Sequence, residues 1–375
     1  MLKIDLITRD FNHKLNSLTR YDQAIYKGLT ETKPQIASVK LCSVEQGENR
    51  LFQLLKKTSG LDVATFLKVY PLGLPDTTGD LAHLTNFSHL SGLWRSGRPV
   101  VATVHDIIHY ANRENPRICI YSHLLHALAD RLAIRHLRHL RAIIASSEFT
   151  RRQLIEHAGV PGEKIKVVHL GIDHSLFRLT EIPQNFLESY NLHRQTPYVL
   201  HISTEEPRKN FESLLRAWPQ VRQQHPSAVL LKVGPCYYPQ ERQRSLALIK
   251  ELGLGESVRF IESVPEADLP LFYNLAQIFA FPSLVEGFGF PVLEAMACGT
   301  AVVCSNTPAL AEIVGAAALQ HEPTDVATLA RQLCNLLGDQ TQRGHLTELG
   351  LAHVAQFTWS RTVDQTWQVY RQVLG

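Results

Sequence analysis

The chain has 375 residues, 45% of them hydrophobic and 19% charged, with a formal net charge of +3. That length exceeds a single hydrophobic core and implies two domains of roughly 180 residues each, and so small a charge gives no reason to expect a nucleic-acid partner. The six cysteines (Cys42, Cys119, Cys236, Cys298, Cys304, Cys334) are scattered without a C-x-x-C pair, which argues against a disulfide framework or a cysteine metal site and fits a reducing cytoplasm.

Taken in chain order, "MLKIDLITRDFN" carries Lys3 and Asp5 inside its apolar run, so it reads as a first strand and not as a secretion signal. Further strands are predicted at "IASVKLC", "LAHLTN", "PVVATVH", "AIIASS" and "KIKVVHL", with helical stretches such as 19–30 and 120–139 between them. The rhythm repeats with "YVLHIS", "AVLLKVG", "VRFIES", "IFAFPS" and "AVVCSN", and "WSRTVDQTWQVYRQVLG" closes the chain as a helix with Val363, Trp367 and Tyr370 on one face. Strands rich in Val, Ile and Leu that alternate with helices define an α/β fold of two doubly wound, Rossmann-like domains. The expected boundaries are a first domain at 1–182, a linker at 183–196 around Pro183, Asn185 and Pro197, a second domain at 197–358 and a terminal helix at 359–375. No apolar stretch approaches the roughly 18 residues of a membrane span.

In open α/β sheets, ligands gather beyond the carboxyl ends of the strands, so the loops there are the ones to read. After "YVLHIS" comes "TEEPRKN", with Arg208 and Lys209 at a helix entrance. This is a solvated turn capped by Asn210 on one reading and a phosphate site on the other, favoured by the preceding core strand. After "IFAFPS" comes "LVEGFGFPVLEAMACGT": Glu286 in the loop, Gly287 and Gly289 permitting close backbone approach, Pro291 suited to a first helical turn, and Glu294 one turn inside. A capped helix explains Glu294 alone and leaves Glu286 and the glycines without a reason.

The stretch "EGFGFPVLEAMACGTAVVCSN" resembles the signature of family-4 retaining glycosyltransferases, in which two glutamates stand with seven residues between them. "STEEPRKNFESLLRAW", "AIIASSEFTRRQL", "KIKVVHLGID" and "FTWSRTVDQTWQVY" resemble further segments of that family, and the likeness is nearest to bacterial mannosyltransferases of polysaccharide synthesis. The resemblance implies a GT-B fold, two Rossmann-like domains facing across a cleft, with the last helix crossing back to the first domain. It implies that Glu294 holds the ribose hydroxyls of a nucleotide sugar and Glu286 those of the transferred sugar. Backbone around Gly287, Phe288, Gly289 and Phe290 would touch sugar and diphosphate, and Arg208 and Lys209 would neutralise the departing diphosphate without a metal or other cofactor. From "VVATVHDIIHY", it places His105 and Asp106 beside the reacting centre, although one histidine among eighteen is more often structural.

Two departures from the family pattern stand out. Asn16 and Ser17 occupy positions where relatives carry a glycine pair near the donor, and Ser203 stands where Gly is usual, its hydroxyl a candidate donor to phosphate. In addition, "RLAIRHLRHLRAIIASSEFTRR" (131–152) spaces Arg131, Arg135, Arg138 and Arg141 helically among Leu132, Ile134, Leu137 and Leu140. That stretch is a solvated face or a peripheral contact with anionic lipid on the cytoplasmic side of a membrane.

The function expected is transfer of a hexose, mannose first, from a nucleotide diphosphate sugar to a hydroxyl of a glycan or lipid-linked acceptor, with retention. A UDP-sugar-dependent glucosyl- or galactosyltransferase making glycolipid is an alternative. A non-catalytic nucleotide-sugar-binding subunit is an alternative of another class, motivated by Asn16 and Ser17.

Overall fold

The computed structural model describes residues 2–8, 17–43, 78–88, 97–119, 124–262 and 264–375. The chain divides into two units, one of residues 1–171 with 359–375 and the other of residues 172–358. In the first unit, strands β1 (Leu2–Thr8), β2 (Ile36–Ser43), β3 (Leu81–Leu84), β4 (Val100–Val104), β5 (Ala142–Ala145) and β6 (Ile165–Val167) form a parallel sheet of order β2-β1-β3-β4-β5-β6. In the second, β7 (Tyr198–Ile202), β8 (Val229–Val233), β9 (Val258–Ile261), β10 (Ile278–Phe281), β11 (Ala301–Ser305) and β12 (Leu319–His321) form a parallel sheet of order β12-β11-β10-β7-β8-β9. The eleven strands read from the sequence are all present, and β12, at three residues, adds an edge.

Every residue of β3, β4, β5, β10 and β11 is buried, as expected of parallel strands covered on both faces. In the second unit, Val199, Leu230, Ile278, Ala280 and Val303 pack against Leu214, Leu215, Trp218 and Val221 of the helix Phe211–Gln224 and Leu329 and Leu333 of the helix Val326–Gly338. Trp218 is wholly buried, with its ring N–H donating to Ser257 Oγ at 3.1 Å. Truncating it to Ala would cost roughly 3–5 kcal/mol.

In the first unit, Ala82, Leu84, Ala102, Val104, Ile143 and Ala145 form an apolar face with Ile134 and Leu137 of the helix Leu124–Leu137 and Leu154 of the helix Glu148–Ala158. The helix Ser17–Thr32 and the terminal helix Trp359–Leu374 also belong to this unit, and Val363, Trp367 and Tyr370 are buried together as their spacing implies. The two helices meet at Gly28, where a Cβ would fall 2.4 Å from Val363 Cγ2. The stretch 183–196, read from composition as a linker, contains the helix Gln184–Ser189 with Phe186 and Leu187 buried, and lies within the second unit.

Candidate functional site

The order of the second sheet reverses between β7 and β10, which lie side by side, and the loops leaving that pair carry Ser203, Arg208, Lys209 and Glu286. After β7 the chain makes a single 3-10 turn, Pro207–Lys209, and Asn210 takes a left-handed conformation (φ 55°, ψ 40°) that asparagine tolerates. Asn210 is the residue before the helix, but its side chain makes no capping bond; the amide instead donates to Pro282 O at 2.9 Å and Pro323 O at 2.8 Å. This turn is thereby tied to the loop after β10, where Leu284 N–H donates to Arg208 O at 2.7 Å.

Across that tie the charged groups meet. Lys209 Nζ donates to Glu286 Oε1 at 2.7 Å, and Arg208 donates to Glu286 Oε2 at 3.1 Å and to Val285 O at 3.3 Å. Arg208 also donates through Nε to Glu206 Oε2 at 2.5 Å, and Lys209 lies 5.1 Å from the centre of the Phe281 ring. Glu286 is 6% exposed. Burial alone would raise its carboxyl pKa, but the Lys209 and Arg208 charges more than offset this and hold it down at about 2. Glu206, which the sequence reading did not single out, makes the cluster two cations and two carboxylates.

Beyond Glu286, Gly289 has φ +112°, and a Cβ there would lie 2.6 Å from Leu310 Cδ2, so the turn requires glycine. Of the pair Gly287 and Gly289, Gly289 is the one with a positive φ. The helix Phe290–Ala297 follows with Pro291 in its first turn, and Phe288 is buried edge-on to the Phe290 ring with centres 5.3 Å apart. Glu294 is 6% exposed and accepts from Tyr273 Oη at 2.9 Å, a partner on the helix Leu269–Leu275 that no motif in the sequence marks.

Ser203 differs from its expectation. His201 Nδ1 lies 2.9 Å from Ala280 O, which can only accept, so Nδ1 carries the ring proton and Nε2 is an acceptor. Ser203 Oγ, 2.8 Å from Nε2, therefore donates its hydrogen bond to His201 and is left to accept, where the expectation was donation to phosphate.

In the first unit His105 follows β4. Its ring Nε2 lies 3.1 Å from Thr85 O, so Nε2–H donates there and Nδ1 holds a lone pair. Its carbonyl accepts from Ser146 Oγ at 2.6 Å and Thr150 Oγ1 at 3.1 Å. Burial lowers its pKa to about 4 against the opposing pull of the Asp106 charge, so the imidazole is neutral at physiological pH. Asp106 Oδ1 accepts from Ile108 N–H at 3.1 Å, turning the chain into the short helix Ile108–Ala111. Ser17 is the first residue of its helix, and Asn16 lies outside the described residues.

The basic stretch is not one helix. Arg131 and Arg135 lie on the helix ending at Leu137, whereas Arg138 and Arg141 follow it. Ile134, Leu137 and Leu140 are core, but Leu132 is 47% exposed and Leu128, one turn earlier, 50%. Arg131, Arg135 and Arg138 join Arg113 and Tyr110 around a surface cavity of about 400 Å³. Among the described residues, no helix is long and apolar enough to cross a membrane, and no group of three or more His, Cys, Asp or Glu could hold a metal ion.

Two doubly wound units, one with paired buried glutamates and paired cations at the switch point of its sheet, define the GT-B class of glycosyltransferases. Residues 184–353 match the family described as glycosyl transferases group 1, and residues 78–176 that described as glycosyltransferase family 4. The O-antigen chain mannosyltransferase B of Escherichia coli is 30% identical over 405 residues, covering 99% of this chain and 100% of that protein. The serotype-specific mannosyltransferase WbdA of Escherichia coli is 31% identical over 245 residues, covering 62% of this chain and 29% of that protein. Sucrose-phosphate synthase from Thermosynechococcus elongatus superposes with a TM-score of 0.73 at 21% identity, covering 100% of this chain and 99% of that one. Anabaena HepE in complex with UDP and glucose does so with a TM-score of 0.73 at 19% identity, covering 99% of this chain and 100% of that one. The chain belongs to glycosyltransferase family 4, as its motifs imply.

Proposed function

We propose that this glycosyltransferase moves a mannosyl group from a nucleotide diphosphate sugar to a hydroxyl of a glycan or lipid-linked acceptor, with retention and without a metal. The observation that carries the reading is the grip of Arg208 and Lys209 on Glu286 at the β7/β10 switch point, two half-buried cations beside a helix entrance where a diphosphate can share them. Mannose rests on the two Escherichia coli relatives, both mannosyltransferases.

In this reading Glu294, braced by Tyr273, accepts from the ribose hydroxyls, and Glu286 accepts from hydroxyls of the transferred sugar. The bond from the anomeric carbon to the diphosphate breaks with its electron pair on the phosphate oxygen. Arg208, Lys209 and the amides around Phe288, Gly289 and Phe290 stabilise that charge, which is why no metal is required. The acceptor oxygen bonds to the same face of the oxocarbenium-like sugar, and its proton passes to the phosphate oxygen just released. His105, neutral, accepts from a sugar hydroxyl through Nδ1.

The acceptor side adds a membrane. Exposed Leu128 and Leu132 beside four arginines have the apolar and cationic character that anionic bilayers attract, and they support a peripheral position on the cytoplasmic face.

The test is a panel of nucleotide mannose, glucose and galactose donors supplied to the purified protein with and without EDTA, the product anomer being read by NMR. The expected result is turnover of a mannosyl donor, unaffected by EDTA, with the donor's anomeric configuration kept. An inverted product or turnover abolished by EDTA would overturn the mechanism, turnover of another sugar alone would replace mannose, and donor binding without turnover would make the chain a non-catalytic subunit.

A further inference from the structure

The face of the first sheet opposite its apolar core is built differently. Side chains alternate along a strand, so His83 and Thr85 on and after β3 share a face with Thr103 and His105 on and after β4. Where Ala82, Leu84, Ala102 and Val104 make the other face apolar, this one buries a line of polar groups. Tyr370 Oη lies 2.5 Å from His83 Nδ1, His83 Nε2 lies 2.8 Å from Thr103 Oγ1, and Thr103 Oγ1 lies 2.7 Å from Tyr21 Oη. All four side chains are fully buried. The Tyr21 ring then meets the His105 ring edge-on, with centres 4.9 Å apart and planes at 86°.

A buried polar line costs desolvation that a Leu or Val face would not, and once any member is lost its neighbour is left with an unmet hydrogen bond in a fully buried site. The line runs from the terminal helix to Tyr21, whose ring packs perpendicular to that of His105. Thr85 O sets the tautomer of His105, two hydroxyls pin its backbone carbonyl, and the ring packs perpendicular to that of Tyr21, which is anchored through its hydroxyl to Thr103.

We propose that Tyr370 is a positioning residue for the transfer reaction: through His83, Thr103 and Tyr21 it holds the His105 imidazole in the orientation that presents Nδ1 to the sugar. The inference rests on the reading of His105 as a group at the reacting centre.

Tyr370→Phe removes only the hydroxyl. The expected result is a fall in kcat of roughly tenfold to a hundredfold, as for other small misplacements of a reacting group, with the donor KM within about twofold. In ¹⁵N-histidine spectra the Nε2–H tautomer signature of His105 should lose its single sharp environment in this variant. His105→Ala should cost more than Tyr370→Phe, and the double variant should be no slower than His105→Ala alone. Penalties that multiply in the double variant, or a Tyr370→Phe enzyme with normal kcat, would overturn the inference while leaving the His105 reading intact. A fully active His105→Ala enzyme would instead overturn that reading, and the inference with it. Should Tyr370→Phe fail to fold, Tyr21→Phe, which removes the last link of the line, carries the same expectations.

Discussion

Lys209 Nζ lies 2.7 Å from one oxygen of Glu286, and Arg208 holds the other at 3.1 Å. The cations that the proposed reaction assigns to a diphosphate are thus already engaged with Glu286. Glu286→Gln retains an acceptor but leaves two cations with the single carboxylate of Glu206, which pairs with Arg208. We expect transfer to fall at least a hundredfold and stability by about 2 kcal/mol. The carboxyl pKa is depressed from its ordinary 4.5 to about 2, so its stabilising effect is complete above about pH 4.5 and is lost as the pH falls through 2. Urea midpoints at pH 7 and at acid pH should therefore converge for wild type and variant as the pH falls.

In the proposed reaction Glu206 would compete with the donor for Arg208, whose Nε–H donates to its carboxylate at 2.5 Å. Glu206→Gln removes one negative charge from a cluster of two cations and two anions. Nucleotide diphosphate should bind it more tightly, on the order of threefold to tenfold at low salt, and the gain should shrink as salt screens it. Calorimetric titration at two ionic strengths checks this, and an unchanged affinity would mean that Glu206 moves away with no cost when donor binds.

At Gly289 the backbone itself is the constraint. Gly289→Ala puts a Cβ into a φ of +112° and against Leu310, a change expected to cost about 1–3 kcal/mol and to displace the amides of Phe288 and Phe290. Denaturant melts give the first quantity, and a raised donor KM reports the second.

How much of this was legible beforehand follows from what sets each feature. The strands were readable because parallel β-sheets require unbroken Val, Ile and Leu runs, and β12 escaped because Leu319–His321 is three residues with only one fully buried. Glu286, Arg208 and Lys209 were legible as loop residues after core strands, but their pairing joins positions 78 and 77 residues apart and is a product of sheet order. Nothing in the sequence could show that the Ser203 proton is taken by His201, because the tautomer is set by a carbonyl on β10. Tyr273 and Tyr370 looked like ordinary core aromatics; their hydroxyls acquire partners only through tertiary packing.

Asp22 gives a pH dependence of opposite sign to that of Glu286. It is 5% exposed, and burial raises its pKa from 3.8 to about 7, with the Thr85 hydroxyl pulling the other way. Below about pH 4 the group is neutral in folded and unfolded chains alike, and as the pH rises through 7 the folded state must ionise a buried carboxyl, so stability from this group is lost. Asp22→Asn escapes that loss. Relative to wild type it should gain stability between pH 4 and pH 8, by the order of 2–4 kcal/mol, and thermal melts across that range should show the difference growing with pH.

The first unit is discontinuous: residues 1–171 are completed by residues 359–375, which carry Val363 against Gly28 and Tyr370 against His83. A ribosome makes the whole of residues 172–358 between these two parts. The second unit can therefore finish folding while the first still waits, its helix Ser17–Thr32 lacking the neighbour that covers it. If His105 depends on Tyr370, the nascent chain completes the Arg208–Lys209–Glu286 cluster long before that histidine is set. The order of translation would then keep a half-made enzyme from spending nucleotide sugar.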